Sequence, residues 1–391
     1  MYRLVILLLF CGIARGQDSA PAPHLHCPGG DIPYFSQEPL RKARISAKPT
    51  ALFVPNYKGV PDSIKEIVEN AIGIWDKILI SRIPIHMDVL WEPLDQRTLA
   101  SAGADRVYKN FRNAPFREIW YPSALAEAIQ GENINGSGPD IVLRMNSNGN
   151  WNLGSGSSLF TYDMLTVILH EIAHGIGFMS SFSDDDATYV RWGIQNIPFI
   201  FDKYMRDEAG NEITNPRFYT NDSQKLLDAV SKGDVTFKVD SGAFASSGLL
   251  LHTEEPFSVG ASLSHFSTAQ RLSVEDQLMH PSIRPGFRST MPGPATLSIL
   301  YQMGWALNMY EFDRQYSADS PLFSLYPNPS TDKITVKTAE DRVEYRIYDG
   351  SGKAVKNGIL NSGESELSLI PLPAGKFYLK IGNTTLPLIK L

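Results

Sequence analysis

Disulfide bonding is excluded at the outset. The 391 residues hold two cysteines, Cys11 and Cys27, and Cys11 lies in a stretch that reads as a removable export signal, so one thiol remains. Stability must then come from core burial, which a chain of this length with 43% apolar residues supplies, and from any bound metal. No apolar run approaches ~20 residues, so no membrane span is expected. Basic runs are absent and the net charge is only −6, which argues against nucleic acid and anionic membranes as partners. There is no internal repeat. Histidine is scarce as well, at eight in the whole chain, so a close pair at helical spacing stands out.

What is present falls into five stretches. Arg3, the apolar run Leu4 to Ile13 and the small-residue site Ala14-Arg15-Gly16 read as a signal peptide over 1–16. A lipoprotein reading through Cys11 is poor, because Phe10 is bulky and the segment before it is very short. Residues 17–48 mix Pro, Gly, His and basic side chains without periodicity, as an irregular leader does. Residues 49–312 interleave strands and helices. Strands are expected near 51–55, 83–91 and 140–145, and helices from Pro61-Asp62 to Ile78, over 123–129, 198–207 and 223–231, and over 295–303. A linker at 313–319 leads to 320–391, where short strands separated by turns predict a small all-β sandwich.

The chemistry concentrates in His170-Glu171-Ile172-Ala173-His174. On a helix turning ~100° per residue, His170, Glu171 and His174 share one arc while Leu165, Ile168, Leu169 and Ile172 share the opposite one. Imidazoles at i and i+4 can direct a nitrogen each at one Zn²⁺, and Glu171 then lies beside the metal without ligating it. From there its carboxylate can accept a proton from water activated by the metal and return it to a leaving amine, which is the chemistry of peptide hydrolysis. The bland alternative is a chance HExxH on a buried helix, or a zinc helix kept as scaffold in a non-catalytic surface adhesin. An intact Glu171 argues against the adhesin, since holding zinc needs no base.

A catalytic zinc needs a third protein ligand and an open position. Gly177 fits the glycine of the pattern HExxHxxGxxH, but Ser180 stands where the third histidine would be. His24, His26, His86, His252, His265 and His280 remain. The segments His170-Glu171-Ile172-Ala173-His174-Gly175-Ile176-Gly177-Phe178, Ser264-His265-Phe266 and Leu278-Met279-His280-Pro281 resemble leishmanolysin-type metzincins, over roughly residues 49 to 312. The resemblance implies a secreted zinc metalloendopeptidase with an α+β zincin, metzincin-like catalytic domain, a mixed twisted sheet plus an active-site helix. It implies His265 as third zinc ligand, 91 positions after His174, with Met279 in a turn beneath the metal and Gly177 as the chain-reversing glycine. Protein or peptide substrates go with it, and a monomer is expected. It also suggests that 140–145 is an edge strand to which an extended substrate adds.

Other residues compete for roles. His280 and His252 are alternative ligands. Asp184, Asp185 and Asp186 could offer a carboxylate ligand or hold Ca²⁺, although three adjacent acids in a Ser-rich loop are commonly a solvated turn. Cys27, in His24-Leu25-His26-Cys27, could hold the open zinc position until the leader is removed, against an idle thiol. At the C-terminus, Phe323-Ser324-Leu325-Tyr326-Pro327-Asn328-Pro329-Ser330, Ile347-Tyr348-Asp349 and Leu372-Pro373-Ala374-Gly375-Lys376-Phe377-Tyr378 resemble the type A sorting domain of the type IX secretion system. That implies export through an outer membrane to the surface or beyond, with the secretion machinery as partner. A carbohydrate- or protein-binding sandwich is the alternative there.

Overall fold

The computed structural model describes residues 18–30, 50–154, 159–185, 189–240, 244–308, 323–326, 330–338, 342–349, 353–361, 363–381 and 384–390. The expected signal peptide, the linker at 313–319 and Asp186 lie outside them. The chain divides into two compact units, residues 1–308 and 309–391.

The first unit is built on a five-stranded mixed sheet in the order Leu25–Pro28, Thr98–Ala104, Ile141–Asn146, Ile85–Glu92, Phe53–Lys58. The last three run parallel, and the first two are each antiparallel to the next. Helix α1 (Asp62–Ile78) provides the crossover between two parallel strands and buries Ile64, Val68, Ala71, Ile72 and Trp75, a stripe at three- and four-residue intervals. Helix α2 (Ser123–Gln130) ends on Gly131, whose φ of 77° gives a left-handed cap. Helix α3 (Met164–Gly175) carries the HEIAH segment. Its N-terminus is capped by Asp163, whose carboxylate accepts from the Thr166 amide at 2.9 Å. Helices α4 (Gln224–Lys232) and α5 (Pro294–Met303) follow, the latter opened by a proline at its first position and closed by Gly304 at φ 117°. Among the described residues no helix is long and apolar enough to cross a membrane.

Three expectations are corrected. The leader is not irregular where it is described: Asp18–Pro21 pairs with Arg106–Lys109, and Leu25–Pro28 forms one edge of the main sheet. These strands are four residues long, too short for alternation to register. The strand expected at 140–145 is no sheet edge, because Thr98–Ala104 lies outside it and pairs with it from Ala104↔Ile141 to Ala100↔Met145. That outer strand, Thr-Leu-Ala-Ser-Ala-Gly-Ala, has almost none of the branched or aromatic residues that mark strands, and it is buried throughout. The helix expected over 198–207 is a single 3₁₀ turn, Asp202–Tyr204, because Asp202 bends back to accept from the Ser181 and Phe199 amides at 3.2 and 3.0 Å.

The second unit is a β-sandwich. One sheet orders Phe323–Tyr326, Lys333–Thr338 and Gly363–Ser368, and the other Ala354–Leu360, Val343–Tyr348, Gly375–Ile381 and Thr384–Lys390. Ile334, Val336, Ile347, Leu360, Leu379 and Leu388 fill the space between them, so inward residues alternate with outward ones as two packed sheets require.

Candidate metal centre

Three imidazoles meet at the C-terminal half of α3. His170 and His174 lie one turn apart, and His265 arrives from the loop before Phe266. Their Nε2 atoms are separated by 3.0 Å (170 to 174), 3.2 Å (174 to 265) and 3.4 Å (265 to 170). All three side chains are fully buried.

The tautomers follow from the other ring nitrogen. His170 Nδ1 lies 2.7 Å from the Leu278 carbonyl, His174 Nδ1 2.6 Å from the Phe178 carbonyl, and His265 Nδ1 3.0 Å from the Ala261 carbonyl. A carbonyl can only accept, so each Nδ1 carries the proton and each Nε2 presents a lone pair. Burial, with the neighbouring rings adding to it at His174 and His265, lowers all three histidines, His170 to about 4, which keeps them neutral. Three lone pairs converging within van der Waals distance repel one another unless a cation lies between them. Zinc bonds of ~2.0–2.1 Å at a tetrahedral angle separate nitrogens by about 3.3 Å, and the observed triangle matches that spacing. The residues present therefore fit a zinc ion, with each imidazole oriented by a backbone acceptor on its far side.

Local sequence explains how the three histidines arrive. Gly177 takes φ 114°, and a Cβ there would stand 2.7 Å from Pro122 Cγ, so a glycine is needed to turn the chain directly after the helix. That turn brings the Phe178 carbonyl back to His174, while the Phe178 ring packs on Phe201 and Phe266. The same turn sends the Ser180 amide to the Ser264 hydroxyl at 3.1 Å, which ties the stretch after the helix to the residue before His265. Met279 is buried at the end of the 3₁₀ turn Asp276–Met279. Its carbonyl accepts from the Phe266 amide at 2.8 Å, and the preceding Leu278 carbonyl orients His170.

Glu171 is fully buried, and neither carboxylate oxygen has a hydrogen-bond partner. Burial pushes this carboxyl well up. The Cys27 thiol and the Ala102 backbone face it and act in the opposite sense without reaching hydrogen-bond geometry. Cys27 Sγ, also buried, groups with ligand atoms of His170 and Glu171 within 4.8 Å, so the leader thiol lies at the centre. Burial and the Glu171 charge both push that thiol up.

The other candidates stand elsewhere. His280 Nε2 is buried without a partner, and His252 pairs loosely with Glu254 at 3.7 Å; neither joins the described cluster. Asp184 is in the strand Ser183–Asp185 and joins none of the described metal-type groups. Sequence reasoning missed Leu278, Phe178 and Ala261, whose contribution is a backbone carbonyl that no side chain announces.

Comparison with known proteins resolves the C-terminal unit. Residues 324–390 match the family described as a secretion system C-terminal sorting domain. The chain carries a type IX sorting tail. Export thus runs through the type IX system to the cell surface or the extracellular space, and the sorting domain engages the secretion machinery. Ahead of it, residues 120–206 match a family described as SPBPB7E8-like, a span that includes His170, Glu171, His174 and Gly177. No curated protein matches the chain. Among solved structures, one titled "structure of AaCel9A in complex with cellobiose-like isofagomine" aligns at 15% identity over 17% of this chain and 15% of that one, with a TM-score of 0.15. A likeness that partial says nothing about the first unit.

Proposed function

We propose that the first unit is a zinc-dependent endopeptidase with a zincin-like, leishmanolysin-type catalytic domain, delivered outside the cell by its sorting domain. The observation that carries this reading is the convergence of His170, His174 and His265 on one point, with their Nδ1 protons committed elsewhere, beside a buried acid that has no structural partner. Zinc, when bound by the three histidines, would supply Lewis-acid polarisation of water and of the peptide carbonyl. Glu171 would take the proton of the attacking water on a carboxylate oxygen and pass it to the leaving nitrogen. A neighbouring cation favours its ionised form against the burial that raises it. Because Glu171 is consecutive to His170 on a capped helix, its position relative to the ligands is fixed by helix geometry.

The test compares the exported protein, its leader severed, with Glu171→Gln. Both should contain about one zinc ion by elemental analysis, and the variant should hydrolyse casein at least ~100-fold more slowly. Equal hydrolysis would remove Glu171 from the mechanism. Full zinc with no hydrolysis by either protein would favour the surface adhesin.

A further inference from the structure

We propose that the leader strand Leu25–Pro28 occupies a peptide-binding groove, and that the apolar pocket holding Leu25 is a subsite for an aliphatic side chain of the substrate. This inference rests on the endopeptidase reading.

The groove has two walls, and the leader bonds to both through its backbone. On one side it runs antiparallel to Thr98–Ala104, from Leu25↔Ala102 to Pro28↔Thr98, and the Gly29 amide donates to the Arg97 carbonyl at 3.0 Å. On the other side Gly29 bridges to Ile283 in parallel, and the Gly30 amide donates to the Ile283 carbonyl at 2.7 Å. One wall precedes α3 in sequence and the other follows it. Main-chain bonds of this kind grip an extended peptide regardless of its side chains, so selectivity falls to the side-chain pockets.

Side chains two apart on a strand share a face, and Leu25 and Cys27 both point inward while His26 is exposed. Cys27 reaches the His170 and Glu171 side chains, which marks where a peptide passes the reacting groups. Two residues earlier, Leu25 is 2% exposed in an apolar cluster that holds Ala22 of the leader itself and Ala104, Val107, Trp120, Met179 and Phe199 of the body. The Trp120 indole N–H is already given to the Ile194 carbonyl at 3.1 Å, so it offers no donor to an incoming polar group. Gly260 also lies against Leu25, since a Cβ there would stand 3.7 Å from Leu25 Cδ2. A site lined this way suits an aliphatic side chain such as Leu, Ile or Met and rejects a charge.

The test uses the full chain with a cut site for an added protease placed between residues 31 and 49, severed after folding. Labelled synthetic peptides of residues 18–30 carrying Cys27→Ser, with Leu25 retained or changed to Asp, are titrated into severed Glu171→Gln protein and read by fluorescence anisotropy. The Leu25 peptide should bind and displace the leader, and the Asp change should weaken binding by ~30-fold or more. Met179→Lys in the protein should narrow or reverse that preference. Cleavage sites mapped by mass spectrometry on digested denatured proteins should show Leu, Ile or Met enriched at one fixed offset from the cut. Equal binding of the two peptides, or a severed leader that excess peptide cannot displace, would overturn the subsite. Binding without any hydrolysis by the Glu171 parent would instead sink the endopeptidase reading, and hydrolysis without side-chain preference would sink the pocket alone.

Discussion

Two buried carboxyl groups of the first unit meet opposite treatment. Asp276 Oδ1 accepts from the Ala295 and Thr296 amides at 2.9 and 3.1 Å, and its Oδ2 from the Ser273 hydroxyl at 3.0 Å, so it fastens the start of α5 to the turn that ends in Met279. Glu171, just as buried, has no partner on either oxygen. Burial raises both acids, but Asp276 is held by three hydrogen bonds, whereas the Cys27 thiol and the Ala102 backbone face Glu171 without bonding to it. Asp276 is thereby tied into the architecture, while Glu171 lies without a hydrogen bond beside three convergent lone pairs, which is the contrast the proposed role of Glu171 rests on.

The contrast can be broken most forcefully at the ligands. His265→Ala removes one of three nitrogens and should cut zinc affinity by roughly a thousandfold, measured by competition with a chelator, whereas His280→Ala should leave it within a few-fold. A reversed result would move the site to the neighbouring histidine. Next in size, Asp276→Ala strands two backbone amides and should lower stability by about 3 kcal/mol in a denaturant titration. Glu171→Gln should change it by less than about 1 kcal/mol, because no native hydrogen bond is lost. Equal losses would erase the distinction between the two acids.

Asp140 sharpens the comparison through pH. One of its oxygens accepts from the His86 amide at 2.9 Å, the other has no partner, and burial together with the Glu127 charge raises its carboxyl to about 7. An acid raised in the folded state stabilises the fold while protonated and loses that contribution as pH climbs through the folded value. Between pH 5 and 8 the parent should therefore lose about 2 kcal/mol relative to Asp140→Asn. A constant difference across that range would show that Asp140 stays ionised. The smallest effect concerns Cys27→Ala, which should shorten the lag before the intact chain acquires activity by a few-fold. An unchanged time course would reduce the thiol to a filler among Leu99, Val167 and Ile283.

How far the sequence disclosed this arrangement depended on which physical signal each part uses. Helix α1 and the HEIAH helix show themselves through apolar side chains at helical intervals, and the His170-to-His174 spacing survives as a one-turn separation. His265 could be singled out only through resemblance, because no periodicity connects positions so distant in the chain. Thr98–Ala104 escaped notice since small residues carry little strand signal, yet its smallness is structural: a Cβ on Gly103 would stand 2.5 Å from the Pro23 carbonyl of the leader. In the sorting domain, Ala354–Leu360 carries little strand signal for a related reason. It is an edge strand whose Lys356, Asn357 and Gly358 read as a turn, and only Leu360 is fully buried.

Zinc-edge anomalous diffraction from crystals of the exported protein addresses the metal centre directly. One strong peak should lie about 2.0–2.2 Å from the Nε2 atoms of His170, His174 and His265. A peak at other residues, or none there after zinc is supplied in excess, would contradict it.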